Sequence, residues 1–142
     1  MRDMANDVSV AATITPIVVN NDTEGTGVAV DLAGYESATL IVHVGVSGDT
    51  LSGSVYHTVK LQESATTTSG DFTDVAAGDC IGTNGQVIDD AAEDDVVIKL
   101  GYVGNKRYVR AFIDTTGTHT NGTPIGAVVV RGRTRHLGGP AV

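Results

Sequence analysis

Apolar and polar residues alternate along most of the chain, and β-branched residues are frequent at the apolar positions. This period of two is typical of β-strands, whereas an amphipathic helix repeats its apolar positions every three or four residues. Clusters of Gly, Asp, Asn and Ser separate the alternating segments and favour turns. The pattern predicts strands at 8–20, 27–32, 38–46, 54–64, 71–75, 86–88, 95–103, 106–114 and 126–135. Eight or nine short strands at this spacing predict an all-β fold, an antiparallel β-sandwich of jelly-roll-like topology.

A length of 142 residues predicts a single domain over 1–142, which is large enough to bury a core of its own. Residues 1–7 and 137–142 are expected to be a flexible N-terminal arm and a flexible C-terminal tail. Cys80 is the only cysteine, so an intramolecular disulfide is excluded. Burial of apolar side chains must therefore stabilise the fold.

The segment 99–113, KLGYVGNKRYVRAFI, is predicted to form a tight hairpin. Gly104 and Asn105 fit a two-residue turn, and that register places Lys99 directly opposite Arg110. The hairpin would have one apolar face and one cationic face. Because like charges that face each other are destabilising, the pair is expected to need a carboxylate, a bound anion or an acidic partner.

Charge is distributed unevenly along the chain. There are 17 Asp and Glu residues against 9 Lys and Arg, and the formal net charge of −8 disfavours direct binding of nucleic acid. Seven of the nine cations nevertheless lie between residues 99 and 135. This concentration predicts a surface that contacts a partner, with an ordinary solvated strand face as the alternative. The candidate residues are Lys99, Lys106, Arg107, Tyr108, Arg110, Arg131, Arg133 and Arg135.

No motif for catalysis, a cofactor or a metal stands out, and the chain is predicted not to be an enzyme. No serine lies in G-x-S-x-G, and no lysine precedes Ser or Thr as in a phosphate-binding loop. Cys80 is expected to be a buried or turn cysteine. The acidic run 89–95 lacks the spacing of a calcium-binding loop, so a solvated loop is favoured over a weak calcium site.

Histidines and apolar runs complete the candidate chemistry. His43 and His57 lie on neighbouring predicted strands, where they could meet. One sheet-surface and one half-buried histidine are favoured over a zinc site. No apolar stretch reaches the roughly 18 residues that a membrane span needs, so no membrane contact is expected.

Three blocks of the sequence occur in a familiar order: VKLQESATTTSGDFTDV at 59–75, IKLGYVGNKRYVRAFI at 98–113 and GTPIGAVVVRGRTRH at 122–136. They resemble small β-sandwich virion proteins that tailed bacteriophages and prophages encode near the major capsid gene. The resemblance covers roughly residues 35–137. It supplies no catalytic or cofactor-binding residues.

The resemblance implies a capsid decoration, or cement, protein that binds the outside of the capsid shell and stabilises it. Its expected partners are the major capsid protein and sister copies in a homo-oligomer on the capsid lattice. Its expected location is the capsid surface of the virion, after synthesis in the bacterial host cytoplasm. One alternative is a carbohydrate-binding sandwich of a fibre or spike, against which the scarcity of aromatic residues counts. The other alternative is a neck or tail component.

Overall fold

A computed structural model describes residues 4–134, with side chains to residue 132. These residues form ten strands that pair antiparallel in two sheets, together with one short α-helix, α1 (Asp22–Gly25), and two 3-10 turns at Ser69–Asp71 and Ala77–Asp79. The strands are β1 (Val8–Val19), β2 (Val30–Asp31), β3 (Tyr35–Val44), β4 (Tyr56–Ser64), β5 (Thr73–Asp74), β6 (Cys80–Ile81), β7 (Gln86–Ile88), β8 (Val96–Tyr102), β9 (Tyr108–Thr116) and β10 (Thr123–Thr134).

The strand order is that of a jelly roll. Sheet A has the order β1-β10-β3-β8-β6, and sheet B has the order β2-β9-β4-β5, with β7 also pairing with β4. Strands from the two halves of the chain pair with each other: β1 with β10, β2 with β9 and β3 with β8. A long two-stranded ribbon wrapped into two facing sheets gives this pattern. The predicted all-β jelly-roll-like sandwich is therefore confirmed; every predicted segment overlaps a strand, and β6 is an additional strand.

The core is the apolar layer between the two sheets. Leu40 and Leu100 point into it from sheet A, and Leu61 and Ile113 point into it from sheet B. Inward residues alternate with outward ones along each strand, as the pleat requires. Cys80 lies at the margin of this layer, and burial raises the pKa of its thiol. The expectation of a buried cysteine is confirmed.

The hairpin predicted over 99–113 is wrong. β8 and β9 follow each other in the chain but lie in different sheets, because residues 103–107 cross from sheet A to sheet B. Lys99 pairs with Ile41 of β3, and Arg110 pairs with Gln62 of β4, so the two cations do not face each other. β8 pairs with β3 over seven residues and β9 pairs with β4 over nine, which satisfies the backbone of each strand without a hairpin. The prediction that one apolar face of the two strands faces the core is still correct, because both strands direct their apolar residues into the same core.

Two histidines lie together in the interior. His57 is fully buried, and its ring lies 4.2 Å from that of His119. Its Nε2 is 3.0 Å from the Thr123 hydroxyl. His43 instead lies exposed on sheet A, so the suggestion that His43 and His57 meet is wrong: their strands belong to different sheets. Burial, together with the neighbouring His119, lowers the pKa of His57 to about 4, although the Asp49 carboxylate acts in the opposite direction.

This burial predicts that acid destabilises the protein. An unfolded histidine has a pKa near 6.5, whereas folded His57 stays neutral down to about pH 4. The unfolded state therefore binds more protons in this window, and stability is lost as the pH falls through it. We expect the free energy of unfolding, measured with urea, to fall by up to about 3 kcal/mol between pH 7 and pH 4.

The matched variants are His57→Gln and His43→Gln. The first should flatten this part of the pH profile, and the second should leave it unchanged because His43 is exposed. An identical profile in all three proteins would contradict the assignment.

Candidate contact surface

The sequence-predicted contact residues lie at three separate places. Four of them lie at the end of the sandwich where β2 leads into β3 and β8 leads into β9: Lys106, Arg107, Tyr108 and Arg131. Lys99 lies on the outer face of sheet A, and Arg110 lies on the outer face of sheet B. Arg133 belongs to β10, where its neighbours Gly132 and Thr134 pair with Ser37 and Tyr35 of β3. Arg135 lies outside the described residues.

Asp31 organises the cluster at that end of the sandwich. Arg107 donates two hydrogen bonds to its carboxylate, from Nε at 3.0 Å and from Nη2 at 2.8 Å. This guanidinium holds the pKa of Asp31 below its ordinary value. Arg131 donates from Nη1 to the backbone carbonyl of Asp31 at 2.8 Å, and its guanidinium lies 4.6 Å from the Tyr35 ring. The two arginines are thus held in fixed positions by contacts within the chain.

Lys106 and Arg107 are both exposed in this cluster, and Arg107 is the one paired with Asp31. The backbone N–H of Lys106 donates to Tyr102 Oη at 2.8 Å, which fixes the loop, while its side chain is exposed. Tyr102 Oη in turn donates to Glu63 at 2.5 Å, and burial with this bond raises the pKa of Tyr102. Together with Arg107, Lys106 lies on the rim of an open cleft of about 770 Å³ between residues 32–39 and 101–107. Tyr108 is half-buried under the Arg107 guanidinium, 5.2 Å away.

Arg110 has a structural environment. It is 7% exposed and donates from Nε to Gln62 Oε1 at 2.9 Å and from Nη1 to Ser69 Oγ at 2.9 Å. Its guanidinium lies 4.2 Å from the Phe72 ring. Burial lowers the pKa of Arg110, although arginine remains charged. Arg110 therefore anchors the loop between β4 and β5 to sheet B, and this loop covers it.

The outer face of sheet A is apolar. We use this term for the outward residues of β1, β10, β3, β8 and β6, which form rows across the sheet. One row runs Val10, Val130, Thr39, Gly101, Ile81, and the next runs Ala12, Val128, Ile41, Lys99. A further row holds Gly126, His43 and Val97. Val10, Ile81 and Val97 are 57%, 64% and 65% exposed.

The outer face of sheet B contrasts with it. Lys60 there binds Asp114 at 2.6 Å and lies 3.6 Å from Asp74. Arg110 and Gln62 extend this polar network. An antiparallel sandwich commonly keeps its outer faces polar, as sheet B does. Sheet A departs from that pattern.

The apolar outer face was missed from the sequence, although a signal for it exists. The run Val128–Val130 is apolar at both parities, and so is the run Leu40–Val42. Apolar residues at consecutive strand positions are typical of strands covered on both faces. The regular alternation elsewhere in the chain obscured this local departure.

The acidic run 89–95 forms a turn, as the solvated-loop interpretation expected. Asp90 Oδ1 accepts from Ala92 N at 2.8 Å, and Asp94 Oδ2 accepts from Ser47 N at 2.9 Å. Over residues 4–134, no three His, Cys, Asp or Glu side chains are grouped so that they could hold a metal ion. None of the helices in that range has the length and apolar character to cross a membrane.

Comparison with known proteins gives no relative: no family model matches the chain, and no curated protein is significantly similar to it. A proposal for the function therefore depends on the three sequence blocks and on the chain's own surface chemistry.

The burial of Arg110 predicts a structural effect of its loss. Arg110→Met should lower the free energy of unfolding by about 2–3 kcal/mol, because hydrogen bonds to charged groups contribute roughly 1.5–3 kcal/mol. It should also speed cleavage of the loop 65–71 by a broad-specificity protease. The matched variant Lys106→Met should change stability by less than about 0.5 kcal/mol, because the Lys106 side chain is exposed. Equal effects of the two changes in urea unfolding would contradict this assignment.

Proposed function

We propose that this chain is a non-enzymatic structural protein of a bacteriophage virion, a decoration protein that binds the outside of the capsid shell and stabilises it. The order of the three sequence blocks supports the virion class. The observation that carries the mode of binding is the polarity of charge between the two ends of the sandwich.

One end of the sandwich is purely acidic. The loops 45–55, 89–95 and 117–122 meet there and contain no Lys or Arg. Asp49 in this group accepts backbone hydrogen bonds from Thr120, Asn121 and Gly122, and these bonds hold its pKa below the ordinary value. The carboxylate therefore stays charged at neutral pH. An acidic capsid surface would repel this end of the molecule.

The opposite end carries the cations. Lys106, Arg107 and Arg131 lie there beside the carboxylates of Asp31, Glu36 and Glu63, so this end is mixed in charge. The length of β8, about 23 Å at roughly 3.3 Å per residue, separates it from the acidic end. A molecule with such polarity approaches a surface in a preferred orientation. End-on docking would place Lys106 against carboxylates of the capsid and direct the acidic loops outward. Many copies on one lattice would make each weak contact effective through avidity.

The cleft beside Lys106 favours one second candidate, a carbohydrate-binding module. Tyr35 lines this cleft, and an aromatic face is the usual platform for a sugar ring. The guanidinium of Arg131 already occupies that face, however, 4.6 Å away. A glycan-array screen separates the candidates, because glycan binding that disappears in Tyr35→Ala would favour the carbohydrate-binding module.

Capsid binding tests the decoration proposal. Purified protein is mixed with capsids that lack it, and the bound fraction is measured by co-sedimentation. We expect Lys106→Glu to weaken binding by about tenfold or more, since reversing an interfacial charge replaces attraction with repulsion. Val87→Glu adds a negative charge on the outer face of sheet B, away from both the cationic end and the outer face of sheet A, and should have a much smaller effect.

Two outcomes would contradict the proposal or part of it. If the wild-type protein failed to bind capsids, the decoration function would be wrong. If both variants bound as the wild type does, the cationic end would not be the contact. The copy number in purified particles separates shell from neck, because a shell component should approach the abundance of the major capsid protein.

A further inference from the structure

We propose that the outer face of sheet A is a two-fold contact surface through which two copies of this chain pair, sheet against sheet. This inference does not depend on the decoration function. Val10, Ile81 and Val97 are each more than half exposed on regular strands, and the exposure of apolar side chains to water is unfavourable. Scattered apolar residues on a surface are ordinary, but contiguous rows of them mark an interaction site.

The face has the area that a specific pair needs. Four long strands spaced about 4.8 Å apart, with about nine residues each at about 3.4 Å, give a plane of roughly 600 Å². Two such planes in contact bury about 1,200 Å² before the relief of the side chains is counted, which reaches the lower bound for specific interfaces. Two sheets pack in this way at a separation of about 10 Å.

The distribution of charge favours a second copy as the occupant. Among the described side chains of this face, Lys99 and His43 are the ones that can ionise, and no Asp or Glu lies on it. Pairing through this face therefore brings together planes without a carboxylate among the described side chains, on a molecule whose net charge is −8. Lys99 lies on β8, near one margin of the plane, so its stem can be covered while its ammonium reaches solvent.

The shape of the face is self-complementary about one axis. A shallow apolar hollow of about 330 Å³ surrounds Gly126, beside Pro16 and Pro124. A two-fold axis parallel to the strands, between β10 and β3, places β8 of one copy over β1 of the other. Val97, which protrudes from β8 in the same row as Gly126, then meets the side of the hollow formed by Pro16. Because the axis is two-fold, this contact occurs twice in the pair.

Sedimentation equilibrium of the purified chain tests the pairing. The wild type should have a mass twice 14.6 kDa, with dissociation on dilution. Val97→Glu should weaken the dimer at least about 100-fold, because each dimer would bury two uncompensated carboxylates. Val10→Glu, at the opposite margin of the face, should act alike. Both positions are exposed in the single copy, so the variants should keep the wild-type circular dichroism and the thermal midpoint that the wild type has at dilutions where it is monomeric.

The control is Val87→Glu, which places the same charge on sheet B and should leave the dimer intact. A wild type that stays monomeric at every accessible concentration would overturn the inference and leave the face open to another partner. So would a dimer that survives both face variants, because its interface would lie elsewhere. Capsid binding is a separate readout: a monomer that binds capsids overturns the pairing alone, and a dimer that does not bind them overturns the decoration function alone.

Discussion

The apolar layer between the two sheets is the constraint on which the rest of the structure depends. The chain has few aromatic residues, so this layer consists mainly of valine, leucine and isoleucine. Because there is one cysteine, no disulfide within the chain stabilises it. Side chains alternate with a period of two, and a shift of any strand by one residue would turn its buried residues to solvent. Burial of Leu100 and Val109 therefore also fixes which residues face outward, among them Lys99 on one sheet and Arg110 on the other.

Alternation was sufficient to predict the strands and their inward faces, but not their partners. The segment 99–113 shows why. Two strands joined by a short connection have the same local pattern whether they pair as a hairpin or cross between sheets. In both arrangements the apolar residues of both strands face one core. The choice is made by β3 and β4, which lie far away in the sequence and pair with β8 over seven residues and with β9 over nine.

The positions of the cationic side chains depend even more strongly on contacts with residues that are distant in the sequence. Arg110 bonds with Ser69, 41 residues away, and Arg131 bonds with the Asp31 carbonyl, 100 residues away. No local pattern reports these partners, because they meet only after the ribbon has wrapped into two sheets. The concentration of charge in the sequence was real, but much of it serves to fix loops. Lys106 and Lys99 are the exceptions among the cations whose side chains are described, and they lie on two different surfaces.

The difference between the two outer faces has a consequence for how far assembly can proceed. Once two copies cover their apolar planes, what remains outside is the ionic network around Lys60 and the acidic loops. A pair formed in the proposed way would carry twice the charge of −8, and the side chains described over residues 4–132 offer no second apolar sheet face on which a third copy could stack. Growth by this contact is therefore self-terminating: the same asymmetry that makes one face adhesive makes the finished pair colloidally stable.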